Sequence, residues 1–333
     1  MATPPMERRP LGRTGLHVPR LAFGTAPLGD IFGKVDEPTA IAAVHAAIDH
    51  GVDYFDTAPL YGFGLAEERL GRALEGRRDR AIVATKCCRD GFEEFDFSAA
   101  RVTASVDESL RRLRTDHIDV FQIHDVEFGD RRQILEETLP AAHALKASGK
   151  VRFVGITGLP VRFLRLLAEQ AELDTLLSWA HLNLVEDELV TELAPLAAER
   201  GFGLISASPL LQGLLTERPL PEWHRSPTPL RGAIPAIAAA CREAGTDIAS
   251  VAIRYGVDHP AVATTIVGMA NPAEVEANLA ALARPIPDGL LDRIAELAAP
   301  VKNMMWFEGR PENNLPPADP NQHVPQPPEQ THS

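Results

Sequence analysis

Along most of the chain, short apolar runs alternate with longer stretches whose apolar residues recur every three or four positions. The runs are RLAFGT, VDYFDT, RAIVATK, IDVFQIH, VRFVGIT, LLSWAHL, GFGLISA and TTIVGMA. Each has the length and β-branched or aromatic content of a buried strand. The stretches between them read as helices with one apolar face. In PTAIAAVHAAIDHG, Pro38 sits in the first turn, Ile41, Val44 and Ile48 share a face, and Gly51 stops the segment. SAARVTASVDESLRRL opens on Ser98, a good N-cap, and repeats Val102, Val106, Leu110 and Leu113 at helical spacing.

Unbroken strand–helix alternation implies parallel strands with right-handed crossovers, and about eight strands is the number that closes a parallel barrel. An open doubly wound sheet would show a Gly-x-Gly-x-x-Gly turn after its first strand, and FGTAPLGD has none. The prediction is a single α/β domain, a (β/α)8 TIM barrel over residues 1–308, with extra loops and helices near its C-terminus. Three parts fall outside the alternation. RRPLGRTGLHVPR, residues 8–20, reads as a hairpin that plugs the barrel floor. TERPLPEWHRSPTPLRG is a Pro-rich loop on the face where barrel active sites lie. Residues 309–333, mostly Pro, Asn and Gln, read as a disordered tail.

Composition narrows the function by exclusion. The 333 residues are 45% hydrophobic, enough for a large core. Lys and Arg total 33 against 46 Asp and Glu, a net charge of −13, which argues against nucleic acid or an anionic membrane as partner. No apolar run near the start resembles a signal peptide and none is long enough to span a bilayer, so a cytoplasmic protein is expected. Cys87, Cys88 and Cys241 match neither a disulfide framework nor zinc-ligand spacing, and no metal is expected.

Chemistry in such barrels gathers at the C-terminal ends of the strands. Those ends carry Asp56 and then Tyr61 after the second strand, Lys86 after the third and His124 after the fourth. Singly, an Asp before a helix is a cap, a loop Tyr is packing, and a Lys or His at a strand end is solvated. Together, on three adjacent strands, they make a coherent set. A free phenol has a pKa near 10, too high for ready proton exchange at neutral pH, and an ammonium beside it favours the phenolate. Lys86 inside a barrel needs a counter-charge, which Asp56 can supply. His124 can hydrogen-bond and orient a substrate oxygen. The set performs acid–base chemistry on an oxygen attached to carbon; with no nucleophile and no metal cluster, the hard step falls to a cofactor.

This Asp, Tyr, Lys and His order resembles the catalytic tetrad of the aldo-keto reductases. The resemblance runs through RPLGRTGLHVPRLAFGTAPLG, FDTAPLYGFGLAEERLG, VATK, VDESLRRLRTDHIDVFQIH, GKVRFVGITG, SASPL and IVGMANPAEVEANL, roughly residues 8–300. IHDVEFGD, GITGLP, SASPLLQGLLTE, PLPEWHRSP and PVKNMMW are similar to the branch of L-galactose dehydrogenases. Nearby branches oxidise L-fucose, other aldoses and pyridoxal, and small-aldehyde reduction uses the same tetrad. Some barrels of the family serve instead as cofactor-sensing subunits of channels, a role for which the short polar N-terminus here offers no partner-binding segment.

The resemblance implies a nicotinamide cofactor lying extended across the barrel mouth. Its contacts would come from Gly24, Thr25, Asp56, Thr157, Ser178, Ser208, Pro209, Leu210, Gly213, Gly268, Met269, Glu274 and Asn278. Of these, Ser178 would meet the carboxamide, Ser208 to Leu210 the pyrophosphate, and Gly268 to Asn278 the adenosine. The pattern departs at Thr157-Gly158, where many members have Ser-Asn, at Ser178 in place of Gln, and at Ala207 in place of a stacking Tyr. Members that prefer NADP carry a Lys and an Arg where this chain has Met269 and Glu274, which predicts NAD. The expected substrate is a sugar, touched by Tyr61, His124, Asp125, Trp223, His224, Asn303 and Trp306, aromatic faces suiting the apolar face of a pyranose. The expected state is a monomer or small homo-oligomer.

Overall fold

A computed structural model describes residues 6–317. Eight parallel strands close into a barrel: β3 (Leu21–Gly24), β4 (Tyr54–Asp56), β5 (Ile82–Cys87), β6 (Ile118–Ile123), β7 (Val151–Gly158), β8 (Thr175–Trp179), β9 (Gly203–Ala207) and β10 (Thr264–Gly268). They neighbour one another in chain order, and β10 returns to pair with β3 through Gly268 and Gly24. Ahead of them, β1 (Arg8–Pro10) and β2 (His17–Pro19) form the antiparallel hairpin that the sequence predicts.

Both strand faces are buried, which is why the runs read as nearly continuous apolar sequence rather than as alternation. The inward face packs Ala22, Tyr54, Ala84, Val120, Leu177, Ile205 and Ile266 together with Leu11 and Val18 of the hairpin segment. The hairpin thus seals the N-terminal floor, and the Arg13 N–H donates to the Gly201 carbonyl at 2.9 Å. The outward face sets Phe23, Phe55, Val83, Phe121, Ile156, Leu176 and Val267 against the helices. Burying one such side chain contributes about 1.5–3 kcal/mol.

The helices begin where their caps direct. Asp36 accepts from the Thr39 N–H to start Glu37–Asp49, and Ser98 accepts from the Arg101 N–H to start Ala99–Leu113. Two added helices, Thr228–Glu243 and Leu290–Ala298, pack in a second apolar cluster with Trp306 and Met305. Among the described residues, no helix is long and apolar enough to cross a membrane.

The expected tail starts too early. Arg310 N–H donates to the Glu127 carbonyl at 2.9 Å, and the buried Asn313 amide donates to the carbonyls of Glu127 and Gly129 at 2.8 and 3.0 Å. Residues 309–314 are therefore held on the loop that follows β6, with the Asn314 amide donating back to the carbonyls of Glu308 and Arg310. The rest of the expected tail, 318–333, lies outside the described residues.

Candidate active site

Asp56 ends β4, Lys86 lies near the end of β5, and His124 follows β6, all on the inward face at the C-terminal mouth. Tyr61 arrives by a tight return after β4. Gly62, Phe63 and Gly64 all take left-handed backbone, at φ 66°, 54° and 93°, before the next helix begins at Leu65. Gly29 supports this return from the loop after β3. A Cβ there would stand 2.4 Å from the Tyr61 carbonyl carbon, so only glycine lets the two backbones approach so closely.

Lys86 is the hub. Its Nζ donates to Asp56 Oδ1 at 2.5 Å, to the Thr57 carbonyl at 2.8 Å and to the Tyr61 hydroxyl at 3.3 Å. Gln122, which pairs with Lys86 in register on β6, donates to Asp56 Oδ2 at 3.2 Å. The Tyr61 and His124 rings meet edge to face with centroids 6.0 Å apart. Sequence reasoning missed Gln122, although strand alternation places it on the same face as His124 two residues on.

Burial and charge oppose each other at every member. Burial penalises the Lys86 ammonium, but Asp56 and Tyr61 together override it and raise its pKa above the usual lysine value. Burial raises the Asp56 carboxyl, while Lys86 and Gln122 pull it down and Asp125 adds to the rise. Tyr61 keeps part of its ring open to the mouth, yet desolvation pushes the phenol above its ordinary value; Lys86 acts downward and Asp56 and Asp125 act upward. The expectation of a phenol lowered by Lys86 thus holds for the lysine's own effect and not for the net result. His124 is driven down to about 3, first by burial, with Asp125 opposing and Lys86 and Arg89 assisting. It is a neutral imidazole at working pH, and its Nδ1 is buried without a partner.

The residues expected around a dinucleotide divide into those the fold presents at the mouth and those it turns away. After β9, Ser208, Leu211 and Gln212 take positive φ of 58°, 47° and 53°, and Gly213 follows at 102°. Within this turn the N–H groups of Ser208, Leu211 and Gly213 are tied to the carbonyls of Ile266, Ser208 and Leu210, which fixes its shape at the barrel rim. Pro209 within it is buried and Leu210 half-buried. Gly268 at the end of β10 is exposed, and a side chain there would enter the gap beside Pro27, 3.2 Å away. This gap between the loops after β3 and β10 is a cradle that a Cβ would fill, so the residues present fit the phosphate end of a dinucleotide. Thr25 donates its hydroxyl to the Asp56 carbonyl at 3.0 Å, joining β3 to β4 beside Gly24. Thr157 faces the mouth from β7 and accepts from the Asp125 N–H at 3.1 Å. Asn278 is nearly buried, one turn beyond Glu274.

Two cofactor assignments need correction. On β8, Leu177 and Trp179 take the inward face and Leu176 the outward one, so Ser178 points into the helical layer and away from the mouth. Trp179, half-buried at the rim, is the residue that strand β8 offers there. Met269 likewise turns outward with Val267 and is fully buried in the main core. Glu274 stays half-buried at the start of helix Pro272–Ala283, where its Oε2 accepts from the Ala270 N–H at 2.8 Å and Asn271 caps the Glu274 N–H. This is a reciprocal capping arrangement, and it fixes an acid at the helix start.

Of the residues expected to touch substrate, Tyr61, His124 and Asp125 converge, and the late-loop set does not. His224 is buried with both ring nitrogens engaged: Nδ1 accepts from the Ser226 N–H, so Nε2 donates to the Leu211 carbonyl at 2.9 Å. Asn303 accepts from the Asp187 N–H at 3.1 Å and its own N–H donates to the Val185 carbonyl. Trp306 is buried against Trp179 and His224, with ring centroids 5.9 Å away in each case. These three pin loops together. Trp223 is 52% exposed and meets Phe32 at 6.4 Å, joining the loops after β9 and β3, the two strands that flank β10.

Beyond the tetrad, His181 Nδ1 lies 3.1 Å from Glu186 and 3.6 Å from Glu188, and ligand atoms of the three fall within 4.8 Å of one another. Glu188 is already paired with Arg162, and the cluster reads as an ion-pair network tying the loop after β8 to the helix after β7.

The chain matches the model of the aldo/keto reductase family over residues 20–299. It is 42% identical to an L-galactose dehydrogenase of Arabidopsis thaliana over 318 residues, covering 92% of this chain and 99% of that one. A D-threo-aldose 1-dehydrogenase of a Pseudomonas species is 32% identical over 85% of this chain and 94% of its own. Among solved structures, an aldo-keto reductase of Bacillus halodurans in a holo form superposes with a TM-score of 0.74 at 30% identity, over 88% of this chain and 96% of that one. The barrel, the converging Asp56, Tyr61, Lys86 and His124, and these likenesses agree: the chain belongs to the aldo/keto reductase family and is an oxidoreductase.

Proposed function

We propose that this protein is an NAD-dependent dehydrogenase that oxidises the anomeric carbon of an aldose such as L-galactose to its lactone. The observation that carries the reading is the Lys86 ammonium held between Asp56 and the Tyr61 hydroxyl, with His124 edge-on to the same ring. Members of the family use nicotinamide cofactors, and the nicotinamide, when bound, supplies the acceptor for the hydride that leaves C1. The chain does the rest. Tyr61 takes the proton of the anomeric hydroxyl, so that the carbon loses a hydride and its oxygen a proton, leaving the lactone carbonyl. Lys86 stabilises the phenolate that receives that proton, and Asp56 keeps Lys86 charged. Neutral His124 donates one hydrogen bond to the sugar oxygen and fixes its direction.

The loop after β9, through Ser208, Pro209, Leu210 and Gly213, would hold the pyrophosphate, Gly268 would let it approach, and Gly24, Thr25, Thr157 and Asn278 would line the remainder. Glu274 favours a free 2′-hydroxyl over a phosphate. The aldose assignment draws on the dehydrogenases that match most of the chain. The test is a panel of L-galactose, L-fucose, D-arabinose and pyridoxal with NAD and with NADP, read as cofactor absorbance. Best turnover of an aldose with NAD supports the reading; best turnover of pyridoxal, or of NADP, contradicts it.

A further inference from the structure

Beside the tetrad stands an ion pair that its chemistry leaves unused. Arg89, in the loop after β5, is paired through its guanidinium with Oδ2 of Asp125, in the loop after β6. Asp125 adopts left-handed backbone at φ 48°, an unusual conformation for a residue other than glycine. The turn swings its carboxylate next to the catalytic imidazole, with Oδ2 3.6 Å from His124 Nε2. Its N–H is tied to Thr157, which fixes the turn from the neighbouring strand. Arg89 is fixed as well. Its guanidinium carbon lies 5.1 Å from the ring of Phe95 and 5.0 Å from that of Phe128, two rings stacked at 4.1 Å.

The pair is held rigidly but is not saturated. Among the described residues nothing donates to Asp125 Oδ1; Arg89 Nε is buried, and the two terminal guanidinium nitrogens, bonded to Asp125 and to the Phe92 carbonyl, each carry a second N–H. A carboxylate and a guanidinium side by side offer an acceptor and a donor at fixed spacing. A sugar hydroxyl donates one hydrogen bond and can accept two, so a pair of neighbouring hydroxyls can donate to the carboxylate and accept from the guanidinium. A substrate without hydroxyls near the reacting carbon would cover Asp125 Oδ1 and the spare guanidinium N–H groups without replacing their hydrogen bonds to water, which disfavours its binding.

We propose that Arg89 and Asp125 read the hydroxyl groups on C2 and C3, the two ring carbons that follow the reacting one, and so select polyhydroxylated substrates. The inference rests on the aldose dehydrogenase reading and adds to it the residues that set the substrate class. A role confined to orienting His124 would instead slow every substrate alike.

An enzyme–substrate cycle separates these. kcat/KM is measured for wild type, Asp125→Ala and Arg89→Lys with L-galactose and with its 2-deoxy and 3-deoxy analogues, NADH binding serving as the check on folding. Wild type is expected to lose about tenfold to a hundredfold on at least one deoxy sugar, the size of a charged hydrogen bond. In Asp125→Ala that discrimination should shrink to about threefold or less, and Arg89→Lys should keep an intermediate share. An unchanged discrimination ratio in Asp125→Ala, with all sugars slowed equally, overturns the proposal while leaving the dehydrogenase reading intact. If Asp125→Ala shows no turnover, Asp125→Leu, similar in size to Asp and without an acceptor, carries the same comparison, and an unchanged ratio there overturns it equally. Failure of the wild type to oxidise any aldose contradicts the dehydrogenase reading itself, and this proposal with it.

Discussion

The Lys86 ammonium lies 3.3 Å from the hydroxyl of Tyr61 while it is ion-paired with Asp56, so a single buried cation is shared between a carboxylate and the reactive phenol. Burial, Asp56 and Asp125 all push the phenol upward, and Lys86 is the group that holds it down. In Lys86→Met that restraint is gone. The pH–rate profile for sugar oxidation should therefore move to more alkaline pH, because the phenolate then forms later. The variant should also be less stable by about 3–5 kcal/mol, since Asp56 is left as a buried charge without its cation. Titration of kcat against pH checks the first point and urea unfolding the second. A limb that does not move would remove Lys86 from phenol activation.

His124 gives the fold its own pH signature. Its pKa is about 3 when folded and near 6.5 when exposed in the unfolded chain. Between those values the unfolded chain binds the proton and the folded one does not. The stability associated with the neutral imidazole is thus complete above about pH 6.5 and is lost as pH falls toward 3. His124→Gln should flatten this part of the stability curve, by up to about 1.4 kcal/mol per pH unit. Unfolding free energies of both proteins, measured from pH 7 down to about pH 4.5, decide it. Parallel curves would mean that His124 is charged in the folded protein.

How far the sequence foretold all this depends on the range over which each feature is determined. The eight strands and the Ser98 cap are local, and both stand where periodicity and residue type placed them. The tetrad was legible because strand ends in a parallel barrel converge whatever the packing details. Ser178 is assigned by the family resemblance alone, and LLSWAHL, apolar apart from Ser178 and His181, does not reveal which residues face inward. Asn303 and Trp306 read as sugar contacts because their partners are distant: Asn303 bonds Asp187, 116 residues away, and Trp306 packs on Trp179; His224 reads so because nothing in its sequence shows that both ring nitrogens are engaged. Composition also conceals the packing of residues 309–314, where Asn313 and Asn314 make their bonds to main-chain carbonyls. Arg89 and Glu127 left no local signal. Glu127 is a fully buried carboxyl pushed well above its usual range by burial, with Asp125 and Glu308 adding to the rise, and it accepts from the Leu159 N–H at 3.0 Å.

The choice of dinucleotide turns on Glu274. Its carboxylate is fixed at the helix start by the Ala270 N–H, close to where an adenosine 2′-substituent would lie in the proposed mode. A 2′-phosphate carries nearly two negative charges and would be repelled there. Wild type should prefer NAD over NADP in kcat/KM by at least roughly tenfold, about 1.4 kcal/mol. Glu274→Arg should narrow the gap by improving use of NADP, although it forfeits the capping contact. Equal use of both cofactors by the wild type contradicts the NAD assignment, and an unchanged ratio in the variant places Glu274 outside the site.

The central claim is that Tyr61 moves the proton. Replacing it with Phe removes one oxygen and keeps the ring that packs against His124. The decisive measurement is kcat for L-galactose oxidation by Tyr61→Phe, taken with NADH affinity from fluorescence titration on the same preparation. With Tyr61 as the proton-transfer group, kcat falls about a hundredfold to ten-thousandfold with cofactor affinity nearly unchanged. A variant that keeps a tenth or more of wild-type kcat would contradict that role.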